Sequence, residues 1–268
     1  MTPPVALTVA GSDSGGGAGI QADLKTFAAL GVFGTSAVTA LTAQHTAAVR
    51  AVRPVDADFV VAQVDAVLED LPVAAVKTGL LATTETVDAI AELAAAGRLP
   101  NLVVDPVMVS STGTRLLAGD AARAYRERLL PHARVMTPNC REAAALLDRP
   151  IDGVADQRDA AHALAALGPA IVVVTGGDGH AGGDALDVVV GVDGLDELAR
   201  PRVDTANTHG SGCSFAAAIA AGLALGCPPR AALETAKAFV HEAIRTAAAW
   251  QLGAGHGPLN HFLWEETP

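Results

Sequence analysis

Val5-Ala-Leu-Thr-Val-Ala-Gly-Ser-Asp-Ser-Gly-Gly-Gly-Ala-Gly-Ile-Gln-Ala-Asp23, continuing as Leu24-Lys-Thr-Phe-Ala-Ala-Leu30 to Gly31, holds a strand, a loop and a helix in one stretch. Residues 5–10 are a short apolar run containing β-branched side chains, which reads as a buried strand. Glycines between Gly11 and Gly19 then break any periodicity, and residues 20–30 read as a helix closed by Gly31. A buried strand feeding a helix through a glycine-rich turn is the unit of a parallel sheet covered on both faces.

The same alternation recurs along the chain. Residues 58–70 place Val60, Val61, Val64, Val67 and Leu68 on one helical face, and a second helix over 85–96 stops at Gly97. Strands over 102–105 and 134–137 are cut off by Pro106 and Pro138, since proline cannot continue a central ladder. Residues 171–175 and 186–192 flank a glycine-rich turn and read as an antiparallel pair at the sheet edge. Helices over 212–225 and 230–250 close the chain. With no repeat, charge block or low-complexity linker, the expectation is one α/β domain over residues 1–268. It should be a three-layer α/β/α sandwich with a mostly parallel central sheet, its ligand site just after Ala10, Asp105, Thr137 and Thr175.

Half of the residues are apolar but only 3 % are aromatic, so the core is expected to consist of Ala, Val and Leu. A net charge of -11 argues against nucleic acid or an anionic membrane as partner, because either needs a basic patch. A phosphorylated ligand would instead be held locally, by helix N-termini, backbone amides or a metal ion. Cys140, Cys213 and Cys227 are widely spaced without a CxxC pair, which predicts free thiols in a reducing compartment. Met1-Thr-Pro-Pro4 does not open a signal sequence and no run of about 18 apolar residues occurs, so a soluble cytoplasmic protein is expected.

Three motifs fail on context. Gly177-Asp-Gly-His-Ala-Gly182 fits G-x-G-x-x-G but leads into a strand, not the helix a dinucleotide site needs. Gly15-Gly-Gly-Ala-Gly19 lacks the Gly-Lys-Ser/Thr of a P-loop, and His241-Glu242 has no histidine at position 245. Asn207-Thr-His-Gly-Ser-Gly-Cys213 carries more, because it sets glycines and small hydroxyls at the entry of an Ala-rich helix. The amides of Gly210, Ser211, Gly212 and Cys213 would point outward as an anion cradle; an ordinary glycine-rich helix entry is the plain alternative. Cys213 lies in the first turn, where the helix dipole is expected to lower its pKa and favour a thiolate, unless it is a small buried apolar residue, as Cys140 and Cys227 are read.

Gly11 to Asp23, Ala40-Leu-Thr-Ala-Gln44, Asp105-Pro-Val-Met108, Thr137-Pro-Asn-Cys-Arg-Glu142 and Thr208-His-Gly-Ser-Gly-Cys213 follow one another in a characteristic order. In that combination the chain resembles the hydroxymethylpyrimidine/phosphomethylpyrimidine kinases of thiamine biosynthesis, from Val5 to the Gly257-Pro-Leu-Asn-His261 tail. The resemblance implies a ribokinase-like fold. It also implies ATP-dependent phosphorylation of 4-amino-5-hydroxymethyl-2-methylpyrimidine to its monophosphate and then its diphosphate, with Mg²⁺.

Roles follow from the resemblance for matching residues. Cys213 is the candidate base, with Gly210, Ser211 and Gly212 around the transferred phosphate. Gly11, Asp23, Gln44, Leu80 and Val107 would face the pyrimidine, and Asn139, Thr175, Gly177, Thr208 and Lys237 the nucleotide. Glu142 would hold the metal, with Asp105 adding charge to its shell. The Gln44 amide can donate to a ring nitrogen while accepting from an amino group, and Asp23 would orient the hydroxymethyl group. The plainer readings are a solvent-facing Gln44, a first-turn helix carboxylate at Asp23, and an Asn139 helix cap beside a solvated Glu142.

Two positions depart from the family. Thr175 stands where lysine often faces the transferred phosphate, and Leu80 where methionine often meets the pyrimidine. Cys213, where the wider ribokinase-like group usually has aspartate, narrows the resemblance to these kinases and the cysteine-bearing pyridoxal kinases. Pyridoxal kinase therefore stays open as the alternative activity, and a homodimer is the expected assembly.

Overall fold

Strands rich in Val and Ala bury side chains on both faces, and the surrounding helices cover them. A computed structural model describes residues 2–108, 121–177, 183–194 and 196–262. In chain order the elements are β1 (Val5–Ser12), α1 (Gly19–Ala29), β2 (Phe33–His45), β3 (Ala48–Pro54), α2 (Ala57–Asp70), β4 (Val73–Thr78) and α3 (Thr84–Ala95). Next come β5 (Val103–Val104), α4 (Ala121–Ala124), β6 (Val135–Met136), α5 (Cys140–Leu147), α6 (Val154–Ala165) and β7 (Ile171–Thr175). The chain finishes with β8 (Asp184–Val190), β9 (Glu197–Pro201), α7 (Ser211–Ala224) and α8 (Pro229–Ala247).

All of these strands join one nine-stranded sheet in the order β3-β2-β1-β4-β5-β6-β7-β8-β9. Pairings from β2 through β1, β4, β5 and β6 to β7 are parallel, while β3 at one end and β8 and β9 at the other pair antiparallel. The chain leaves β1 in one direction to β2 and returns past it to β4, so the strand order reverses between β1 and β4. Ligands of such sheets bind at that reversal, outside the carboxyl ends of the strands.

Alternate side chains of each strand feed two cores. Leu7, Val9, Val104 and Val172 pack with Val64, Ile90, Leu146 and Leu164 of α2, α3, α5 and α6. Ala6, Val103, Val135 and Val173 pack on the other face with Phe27 of α1, Ile219 of α7 and Phe239 of α8. The layers are those expected from the sequence.

The edge assignment is corrected. The segment 186–192 does pair with β7, but β8 is an interior strand because β9 lies outside it, pairing Asp184 with Pro201 and Val188 with Glu197. β9 reads Glu-Leu-Ala-Arg-Pro, too short and polar to announce a strand. The Gly177 to Gly182 motif lies, beyond Gly177, outside the described residues.

Candidate active site

A cavity of about 340 Å³ opens at the carboxyl ends of the parallel strands. Ser12, Lys77, Thr175 and the residues just after β5 and β6 line it, together with the start of α7. It therefore sits where the strand-order reversal predicts.

Two loops shape one wall. After β1 the Asp13 carboxylate accepts the amides of Gly15 at 2.8 Å, Ala18 at 2.9 Å and Gly17 at 3.1 Å, winding the glycine-rich turn around one side chain. Gly11 faces Leu80, and a Cβ there would stand 3.1 Å from the Leu80 side chain, so the glycine keeps this part of the wall open. Gln44, at the end of β2, also lines the cavity.

α7 supplies the opposite wall. Its N-cap, Gly210, has φ +87°, and a Cβ there would collide with the Gly17 carbonyl, so only glycine fits where the two loops touch. No side chain caps this helix. Ser211 corrects the expected cradle, because its N–H closes on the Thr208 carbonyl at 3.1 Å; Gly212 and Cys213 follow it along the cavity wall.

The floor carries a charge cluster. Lys77 Nζ donates to both oxygens of Asp23 at 3.0 Å and lies 3.7 Å from Asp105, and Thr8 Oγ1 donates to Asp23 at 2.6 Å. Burial works against the Lys77 charge, but Asp23 above all outweighs it and keeps the ammonium protonated. Burial also pushes the Asp23 carboxyl above its usual range, against the pull of Lys77 and Thr8. The two-oxygen contact marks an ion pair. Asp105 is pushed up to about 6 by burial, with Lys77 opposing and Asp23 reinforcing the rise.

Cys213 overturns the expected thiolate. The residue is partly exposed, yet burial pushes its thiol up to about 12. Lys77 and an amide hydrogen bond from Gly19 pull it down, but Asp105 and Asp23 add to the rise. The helix N-terminus loses to desolvation and two nearby carboxylates, so the resting group is a thiol.

Asn139 and Glu142 are a capping box: Asn139 Oδ1 accepts the Glu142 amide and Glu142 Oε2 accepts the Asn139 amide, each at 2.9 Å. The helix-cap reading of Asn139 thus holds, but Glu142 is buried and lines the cavity instead of being solvated. Asp105 and Thr137 also line this cavity, and Asp105 Oδ2 and Thr137 Oγ1 are buried without a hydrogen-bond partner among the described residues.

The structure brings Gly11, Gln44, Leu80, Val107, Asp105, Asn139, Glu142, Thr175, Thr208, Gly210, Ser211, Gly212 and Cys213 together on one cavity. Asp23, Gly177 and Lys237 are outside its lining. Asp23 is spent on Lys77 and Thr8, and so stands behind the wall instead of on it. Lys237 donates to Asp187 at 2.7 Å, and Asp187 also accepts the Gly176 amide, so the lysine ties α8 to the end of β7. In place of these the cavity wall has Asp13, Arg141 and His209, which the sequence reading quoted within its motifs but gave no role, and Lys77, which it did not name. Lys77 had a signal: a lone cation inside the apolar run Val73-Ala-Ala-Val-Lys-Thr-Gly-Leu-Leu81 requires a buried partner.

A doubly wound sheet with a glycine-rich helix N-terminus facing buried carboxylates is the arrangement that the sequence resemblance to ribokinase-like small-molecule kinases implies. The chain belongs to the phosphomethylpyrimidine kinase family, whose model matches residues 13–260. A hydroxymethylpyrimidine/phosphomethylpyrimidine kinase of Rhizobium meliloti is 50 % identical over 260 residues, covering 96 % of this chain and 97 % of that one. Among solved structures, an ADP complex of Bacillus subtilis pyridoxal kinase superposes with a TM-score of 0.88 at 38 % identity, covering 97 % of this chain and 98 % of the other. A phosphomethylpyrimidine kinase from Clostridium difficile 630 gives 0.77 at 39 % identity, covering 90 % and 99 %.

Proposed function

We propose that the protein transfers the γ-phosphoryl group of ATP to the hydroxymethyl oxygen of 4-amino-5-hydroxymethyl-2-methylpyrimidine, and then a second group to the resulting monophosphate, in thiamine diphosphate biosynthesis. One observation carries the reading: a single cavity joins a side-chain amide able to read a ring edge, Gln44, to the glycine-rich start of α7, where transferred phosphate would rest.

Mg²⁺ fits the residues present. Asp105 offers a buried oxygen that no hydrogen bond occupies, its cationic neighbour Lys77 standing 3.7 Å away, and Glu142 lines the same cavity, although the described residues hold no cluster of three or more such ligands. Few protein ligands suit an ion that keeps waters and phosphate oxygens, and its charge would screen the phosphates from these carboxylates.

In the first transfer the acceptor oxygen bonds to phosphorus, the bond to ADP breaks and the hydroxyl proton leaves. Cys213 is our base for that proton. It can act only as the thiolate; burial first, and Asp105 after it, keeps the thiol protonated at rest, so the role requires its own proton to leave to solvent and the Asp105 charge to be offset in the loaded site before transfer. Leu80 and Val107 would pack against the ring, while Gln44 would hydrogen-bond its edge. Lys77 and Asp23 hold the floor rigid beneath it.

We further propose a cytoplasmic enzyme, supported by three free cysteines and by the absence of a membrane-spanning helix among the described residues. The homodimer remains part of the proposal, supported by Leu41, exposed on β2 beside the edge strand. Sedimentation would test it. ATP turnover with the pyrimidine, its monophosphate and pyridoxal side by side tests the activity. Turnover with both pyrimidines is expected; turnover with pyridoxal alone would overturn the assignment.

A further inference from the structure

The backbone of Gln44 is clamped: Ser14 Oγ donates to its carbonyl and accepts its amide, both at 2.8 Å. Its side chain meets His209, whose Nε2 lies 3.3 Å from the Gln44 amide nitrogen and 2.9 Å from Asp13 Oδ2. His209 is buried, and its own N–H donates to the Gly257 carbonyl at 3.0 Å. The ring packs against Gly17, where a Cβ would collide with it. Each neighbour is therefore held in place.

A ring nitrogen carries at most one hydrogen. Burial disfavours the Asp13 charge, yet the His209 hydrogen bond and the Gly15 and Ala18 amides outweigh it and hold the carboxyl below its usual range. The Nε2 hydrogen therefore points to the nearer, ionised carboxylate, which leaves Nε2 no lone pair for a Gln44 N–H, whereas an acceptor at 3.3 Å can share that hydrogen. Of the two amide atoms only Oε1 qualifies, and amide oxygen and nitrogen are assigned from their hydrogen-bond network. Two N–H groups pointing at each other would repel.

We propose that Asp13 and His209 are positioning residues that fix the Gln44 amide with Oε1 against the imidazole and its NH₂ toward the cavity. The site then selects a ring that presents a nitrogen lone pair at that edge. The inference rests on Gln44 reading the pyrimidine. Neither Asp13 nor His209 need touch the ring; they act by removing the flipped amide, which would offer an acceptor where the ring also has one.

Equilibrium binding of 4-amino-5-hydroxymethyl-2-methylpyrimidine and, separately, of ATP with Mg²⁺ would be measured on wild type, Gln44→Leu, His209→Phe and the double variant. Each single change should weaken the pyrimidine roughly five- to tenfold, the range of one lost neutral hydrogen bond, with ATP unchanged. The double variant should bind it no worse than Gln44→Leu alone, and His209→Gln, which restores a donor, should recover most of the affinity. Losses that multiply, or an equal loss for ATP, would overturn the positioning role while leaving Gln44 as the reader. An unchanged affinity in Gln44→Leu would remove that reader and the proposal with it. If the phenylalanine variant does not melt cooperatively, His209→Leu takes its place in the cycle.

Discussion

Lys77 and Asp23, 54 positions apart, meet as a fully buried ion pair in which one ammonium serves both carboxylate oxygens at 3.0 Å. The pair ties β4 to α1 across the strand-order reversal and forms the floor beneath Cys213 and Asp105.

Removing one partner should leave the other charge stranded in the core. Lys77→Met is expected to cost about 3–5 kcal/mol of unfolding free energy, the usual penalty for breaking a buried pair. Combined with Asp23→Asn, the loss should fall well below the sum of the two single losses, since the double variant strands neither member of the pair and leaves only Asp105, which burial already pushes toward its neutral form. Urea denaturation of the three variants measures this, and strictly additive losses would show that the pair is not coupled.

Cys213 should behave as a thiol in the unliganded protein. With its pKa near 12, about one molecule in ten thousand carries a thiolate at pH 8, against about a quarter for an ordinary cysteine. Iodoacetamide should label it far more slowly than a free cysteine, as peptide mapping would show. In turnover, Cys213→Ala should slow the first phosphorylation roughly 10²–10⁴-fold and the second much less, because a phosphomonoester is already largely ionised near pH 7. Equal losses in single-turnover rates would reassign Cys213 to shaping the phosphate site.

Glu142 has two jobs that one substitution separates. Gln can keep the hydrogen bond to the Asn139 amide but not the charge, so Glu142→Gln should retain thermal stability and need more Mg²⁺ for half-maximal turnover. A wild-type Mg²⁺ titration would take Glu142 out of the metal shell.

His261 sets a pH limit on stability. Burial, with Lys25 second, pushes its pKa down to about 4, and it pairs with Ser214 at 2.9 Å. Above about pH 6.5 neither the folded nor the unfolded form binds a proton there. As pH falls from 6.5 toward 4 the unfolded histidine protonates first, so stability is lost through this window, on the order of 2–3 kcal/mol by pH 4. His261→Gln should flatten that slope in denaturation curves run from pH 7 to 4; an unchanged slope would assign the loss to other groups.

Where apolar periodicity and local punctuation act within a segment, the sequence alone determined the outcome: α2 from its valines, β5 and β6 from the prolines that end them, and the α7 entry from its glycines. Quoted as motifs, Gln44, Asp105, Glu142 and Cys213 all reached one cavity. β2, by contrast, mixes Gly34, Thr35 and Ser36 with alanines and becomes a strand because it lies beside β1 and β3. Only the tertiary structure decided that Asp23 turns to Lys77, that Lys237 turns to Asp187, and that the Cys213 thiol stays protonated. The physical reason is range. Helix and strand signals arise between near neighbours, whereas desolvation and charge pairing depend on side chains that only the closed sheet brings within a few ångströms.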